Sequence, residues 1–158
     1  MVEIHNSVAK VYEENKETLE IFECLDEFSD TQNFCDHYGF DIEDSCNAIL
    51  IKAKKPEEFY AMFCVLGANR LDVNHKAKEA MGAKRVSFAS REEAEIITGQ
   101  IYGGISPLGL PENIRVYMDK NVTDREKLFI GAGNRVSKFF LSPETLIQLS
   151  SATVLDLT

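Results

Sequence analysis

Apolar positions along this chain change period every few residues, and the changes mark the elements. Val8, Val11 and Tyr12 fall on one side of a helical spacing within residues 4–15, which predicts a short amphipathic helix. Residues 19–24, Leu-Glu-Ile-Phe-Glu-Cys, alternate roughly and predict a strand. Asp30 or Thr31 can cap a helix that stops near Gly39. Ala48 to Ala53 is an apolar strand. Phe59 to Leu66 is apolar on both alternating faces, the pattern of a central strand buried on both sides. Asp72 caps a helix through Met81, with Val73, Ala77, Ala80 and Met81 at helical spacing and Gly82 as the stop.

Arg85 to Ala89 predicts a short strand, and Ser90 with Glu93 forms a capping-box pattern for a helix ending before Gly99. Residues 100–112 form a Gly/Pro-rich loop. Strands follow near 114–118, 127–132 and 135–141; Ser142-Pro143 opens a helix to about Leu149, and residues 152–157 form a last strand. The links between successive strands such as 48–53 and 59–66 are too short for parallel crossovers. The expectation is an α+β fold: a mixed, mainly antiparallel sheet, curved or barrel-like, surrounded by helices. No linker or internal repeat divides the chain, so one domain over 1–158 is expected.

Composition excludes some classes of function. No apolar run reaches the length of a membrane span, and Met1–Lys10 lacks the basic head and apolar stretch of a secretory signal, so a cytoplasmic protein is expected. Cysteines 24, 35, 46 and 64 form no Cys-x-x-Cys pair, and histidines 5, 37 and 75 do not extend them into a ligand pattern. Reduced, mostly buried thiols are expected, with no metal and no cofactor. The net charge of −9 argues against indiscriminate nucleic-acid binding. The charge is uneven, however: residues 1–51 carry 2 basic and 13 acidic side chains, and residues 52–91 carry 9 basic and 4 acidic. That middle segment, which includes Arg70, is either a solvated face or a local phosphate-binding patch.

The loop from Tyr102 to Pro111 is the stretch most able to carry chemistry. Gly103 and Gly104 let a ligand approach the backbone closely, and Pro107 fixes the chain direction. Free amides in such a loop can stabilise the oxyanion of acyl transfer; an ordinary surface turn fits the same residues. Ser106 is a poor nucleophile candidate. Its surroundings are not Gly-x-Ser-x-Gly, because Leu108 stands at the last position, and no histidine is placed by spacing as its base.

The run Gly-Gly-Ile-Ser-Pro-Leu-Gly at 103–109 resembles the signature loop of the YbaK / EbsC family, the aminoacyl-tRNA editing domains associated with prolyl-tRNA synthetase. The likeness extends through Arg70-Leu71-Asp72, the run 81–86, Ala89-Ser90, Thr98-Gly99, the turn 131–135 and Leu141-Ser142-Pro143-Glu144, in order, over roughly residues 5 to 155. The resemblance implies a barrel-like mixed fold and trans-editing hydrolysis of misacylated tRNA, mainly tRNA for proline carrying cysteine or alanine, without a metal. It implies that amides of Gly103, Gly104, Ile105 and Ser106 hold the aminoacyl carbonyl, with attack by water or by the substrate's own thiol. Pro107, Gly133 and Arg135 belong to its binding loops, and a mischarged tRNA and an aminoacyl-tRNA synthetase are the partners it suggests.

Two positions depart from the better-known branch of that family. Its lysine before the strand near 48 is Asn47 here, and an aspartate after the glycine-rich turn is Lys138. Asn47 is expected to orient the aminoacyl or ribose group. Lys138 either turns toward the pocket and restores the missing charge or snorkels to solvent. Lys52 lies on the opposite face of the strand from Asn47. Three functions fit: a deacylase, a non-catalytic aminoacyl- or partner-binding module, and a small-molecule esterase.

Overall fold

The computed structural model describes residues 2–158. Helix α1 (Asn6–Glu14) leads into β1 (Glu20–Glu23), and α2 (Thr31–Tyr38) precedes a hairpin of β2 (Cys46–Lys55) and β3 (Phe59–Leu66). An irregular helical segment follows, a π-turn at Val73–Ala77 running into α3 (Lys78–Met81), then β4 (Arg85–Phe88) and α4 (Arg91–Thr98). The remainder is β5 (Arg115–Asp119), β6 (Leu128–Gly131), β7 (Ser137–Leu141), α5 (Pro143–Ser150) and β8 (Thr153–Leu155).

The strands form two sheets, ordered β1-β7-β6 and β4-β2-β3-β5-β8. Pairing is mainly antiparallel, as expected; β3–β5 and β5–β8 are the parallel pairs. Among the described residues neither sheet closes on itself, which corrects the barrel-like expectation. A parallel bridge between Ser45 and Phe129 joins the start of β2 to β6, bringing the small sheet against the large one.

Strand β3 is central and buried on both faces. Met62, Cys64 and Leu66 enter the main core with Leu108, Leu128, Phe139 and Leu146. Ala61, Phe63 and Val65 enter a second core with Leu71, Met81 and Tyr117, under the 73–81 segment. Removing each large side chain from water contributes about 1.5–3 kcal/mol at most, and this anchors the sheet. A third cluster, built on Phe22, Phe34, Phe40, Phe129 and Phe140, fixes α2 to the small sheet.

Local signals set the element ends. Ser90 accepts from the Glu93 amide while Glu93 accepts from the Ser90 amide, completing the capping box. Ser142 caps α5 with Pro143 at its first position. Gly39, Gly82 and Gly99 stop their helices in the left-handed conformation. Asp72 caps the 73–81 segment through the His75 amide, but its first turn is wider than the α-helix predicted. Asp30 occupies the cap position of α2 without capping it; its carboxylate pairs instead with Arg135.

Candidate functional site

The Gly103–Pro107 loop is held by a second glycine-rich loop, residues 131–135. The Gly133 amide donates to the Gly104 carbonyl at 2.7 Å and the Ile101 amide to the Gly133 carbonyl at 2.9 Å. The approach is so close that a Cβ at Gly104 would lie 1.8 Å from the Asn134 carbonyl oxygen, and one at Gly131 2.4 Å from that of Ile105. Glycine is required at both places by contact between backbones. Gly103 adopts a φ of 90°, with the Arg135 guanidinium packed over it.

Gln100 organises the far side of the loop. Its buried side chain accepts from the Ser106 amide at 2.5 Å and donates to the Leu108 carbonyl at 2.8 Å. The Ser106 hydroxyl in turn accepts from the Leu108 amide. The Gly104 amide closes a turn onto Ile101. Among the described residues the amides of Gly103 and Ile105 therefore remain without protein partners, and both residues line a cleft of about 290 Å³.

Asn47 and Lys138 both line that cleft. Asn47 is the second residue of β2, and its Oδ1 accepts from Ser45 at 3.2 Å and from Thr31 at 3.4 Å. In this orientation its Nδ2 has no protein partner among the described residues. Lys138, on β7 opposite Gly131, is 6% exposed, so it does not snorkel to solvent. Its Nζ donates to the Ser29 carbonyl at 2.7 Å and lies 5.3 Å from the centre of the Phe34 ring. Two of its three N–H donors remain for a ligand. Burial pushes the Lys138 pKa below the usual lysine range; Cys24 opposes that shift and Arg135 reinforces it.

The other predicted residues lie elsewhere or are already committed. Ser106 is fully buried, with amide and hydroxyl spent on the loop itself, which corrects its place among the carbonyl-holding amides and removes it as a nucleophile. Pro107 lines a different hollow beside α5. Gly133 packs against His5. Arg135 is held by Asp26 and Asp30 at 3.1 and 3.2 Å, so it positions the loop and does not offer a free cation. Arg70 sits in a separate cavity with His75 and Phe88. Lys52 is neutralised by Glu93 at 2.6 Å.

Among the described residues no histidine lines the cleft. His5 contacts Ser7, His37 stacks on Phe28 and His75 pairs with Asp72. Cys46 does line it, but contact with Cys64 and then burial push its thiol well above the usual range, so it stays protonated. All four cysteines are free and buried. Among the described residues no group of three or more His, Cys, Asp or Glu comes together to hold a metal ion, and no helix is long and apolar enough to cross a membrane. The cleft offers hydrogen-bond donors and one buried cation: it can hold and polarise a carbonyl group.

Sequence reasoning missed Ser29, Thr31, Ser45 and Gln100, which position Lys138, Asn47 and the loop. Gln100 alone had a readable signal, as a polar residue within the Gly/Pro-rich loop.

The family described as "Aminoacyl-tRNA editing domain" matches residues 26–149. A protein of Enterococcus faecalis, named as a candidate Cys-tRNA(Pro)/Cys-tRNA(Cys) deacylase, EbsC, is 29% identical over 92 residues, covering 58% of this chain and 56% of that protein. A proline–tRNA ligase of Nautilia profundicola is 32% identical over 106 residues, 66% of this chain and 18% of the ligase. The chain thus spans about half of the first relative and under a fifth of the second. A solved structure of a candidate trans-editing enzyme for prolyl-tRNA synthetase superposes with a TM-score of 0.83 at 23% identity, covering 99% of both chains. A solved hypothetical protein gives 0.85 at 22% identity, covering 96% of this chain and 99% of its own. At these identities the two structures speak for the fold alone.

Proposed function

From the premise that this chain belongs to the aminoacyl-tRNA editing domain family, we propose that it is a trans-editing deacylase that hydrolyses the ester of a mischarged tRNA. One observation carries the reading: Gly103 and Ile105, whose amides have no protein partner among the described residues, line one cleft with Asn47 and the buried Lys138. The ester carbonyl oxygen accepts from the Gly103 and Ile105 amides. Asn47 orients the ribose or the aminoacyl group, and Lys138 adds positive charge where burial weakens screening. Water, or the thiol of a cysteinyl substrate, adds to the carbonyl carbon. The amides stabilise the developing oxyanion, and the bond to the ribose oxygen breaks as that oxygen takes up the proton.

The name of the Enterococcus relative supports tRNA for proline carrying cysteine as substrate, with alanine as the other small candidate. The match to a proline–tRNA ligase supports a synthetase as a second partner. The whole of 1–158 acts as one domain, in the cytoplasm. The test is to incubate the protein with a panel of mischarged tRNAs and with simple amino-acid esters and to follow release of the amino acid. Release from tRNA alone supports editing. Release from the simple esters alone makes the protein an esterase, and release from neither makes it a binding module.

A further inference from the structure

The cleft continues beyond Ile105. Ala48, Ile49, Tyr102 and Ile105 also wall a second hollow of about 290 Å³, which extends to Phe88 and Ala94 and is mostly apolar. Two exposed aromatic residues belong to its lining, of which Phe88 also borders the Arg70 cavity. Phe88 is 61% exposed and Tyr102 47% exposed. Among the described residues neither ring packs on another aromatic ring. Exposed rings on a hollow that is joined to a polar cleft provide flat apolar surface for a ligand.

Charge is arranged along the approach to this hollow. Arg91 lies 5.5 Å from the centre of the Tyr102 ring. Phe88 ends the edge strand β4, and at the other end of that strand Arg85 pairs with Lys55, while the Lys84 amide donates to the Lys55 carbonyl. Among the described residues Lys55, Lys84, Arg85 and Arg91 form no ion pair. Lys52 and Lys76 of the same basic segment are neutralised by Glu93 and Asp156. Lys84 and Arg85 thus stand at the start of the edge strand with Lys55 beside them on β2, and Arg91, at the start of α4, lies past its other end, ~10 Å of strand away, on a chain whose net charge is −9.

We propose that the second hollow is the subsite for the terminal nucleobase of the tRNA, and that the β4 edge is the track for the phosphates that precede it. The proposal rests on the reading that the ester lies in the first cleft. A base has the flat π surface that exposed rings stack on, and the polymer attached to it carries the anions that the free cations select. An amino-acid side chain would use the apolar walls but leave the cation row without a role.

The test uses non-hydrolysable ligands, so it stands apart from catalysis. Calorimetric titration compares an amide-linked alanyl-adenosine with the same alanyl-ribose lacking the base. Removing the base is expected to weaken binding to the unmodified protein about tenfold, and to Phe88→Ala or Tyr102→Ala less than about twofold. Both side chains are substantially exposed, so neither change opens the core. An equal effect of the base in variant and parent overturns the proposal, as does failure of the parent to bind either ligand. A Phe88→Ala variant that alters the preference among alanyl, cysteinyl and prolyl ligands, with the base effect intact, assigns the hollow to the amino-acid side chain instead. For the track, Lys84→Ala with Arg85→Ala should lower the salt slope of tRNA binding by about one to two; an unchanged slope refutes it. If the base effect is found but no ester is hydrolysed, the subsite stands and the deacylase reading falls.

Discussion

Replacing Gly104 by alanine adds one methyl group at the point where the two glycine-rich loops meet. That carbon would lie 1.8 Å from the Asn134 carbonyl oxygen, 2.4 Å from its carbonyl carbon and 3.1 Å from its Cα. Carbon and oxygen normally approach to roughly 3.3 Å, so the loops must part by more than an ångström, and backbone stands on both sides. Gly104 does not have a positive φ, so alanine brings no conformational penalty and the whole effect is contact. Parting the loops stretches or breaks the Gly133–Gly104 and Ile101–Gly133 hydrogen bonds. At about 0.5–1.5 kcal/mol net for each bond, with some lost packing, the cost is about 2–4 kcal/mol. For a chain of this length that lowers Tm by about 5–12 °C. Thermal unfolding by circular dichroism at neutral pH reads the stability, and release of amino acid from mischarged tRNA reads the site. An ångström of misplacement at the Gly103 and Ile105 amides should reduce hydrolysis about 100-fold. A variant that melts within about 2 °C of the parent and hydrolyses at the parental rate would show that the loops are not locked by this contact.

Lys138→Met removes the buried cation and keeps most of its stem. Stability should change by less than about 2 kcal/mol, because the lost Ser29 bond is offset by relief of desolvation, while binding of an aminoacyl ligand falls at least about tenfold in titration. Burial lowers the Lys138 pKa in the folded state. Between the folded and unfolded values the unfolded chain binds more protons, so this group's contribution to stability rises with pH. Binding that depends on the ammonium fades over the same window, and Lys138→Met should abolish that alkaline limb. Glu93 is held down to about 2, first by Lys52 and then by the Ser90 amide and Tyr60. Its contribution is present above the ordinary carboxylate range and is lost as pH falls toward 2, so the acid-unfolding curve of Glu93→Gln should be shallower than the parent's in that window. Arg135→Ala frees Asp26 and Asp30 and uncovers Gly103. The exposed ion pairs contribute only about 1 kcal/mol, so unfolding should shift little, whereas amide exchange across residues 102–105 should quicken.

Much of the fold was legible because its signals are local. A capping box, a Ser-Pro helix start and a glycine stop act within one turn of backbone, and Ser90, Ser142, Gly39 and Gly99 behave as their chemistry requires. The two-faced apolar run of β3 is likewise explicit in sequence, since a strand with no polar face has to lie between two cores. The 73–81 segment was harder. Asp72 and Gly82 mark its ends, but nothing local distinguishes a π-turn from an α-turn between them. The closed or open state of the sheets depends on long-range pairing and was not readable.

The loop at 103–107 could be recognised by its glycines, but its chemistry could not. Which amides remain free is decided by the Gln100 side chain and by the turn onto Ile101, and those partners are chosen by the folded path of the chain. Arg70, Arg135 and Lys138 are all cations in sequence. Two carboxylates hold Arg135, a separate cavity holds Arg70, and burial beside the Ser29 carbonyl sets Lys138 in the cleft. The sequence by itself determined the elements, the family and the loop, because caps, periods and motifs are short-range. Only the tertiary structure decided that Asn47 and Lys138, 91 residues apart in the chain, line one cleft with Gly103 and Ile105, because a charge acquires its role from what burial places beside it.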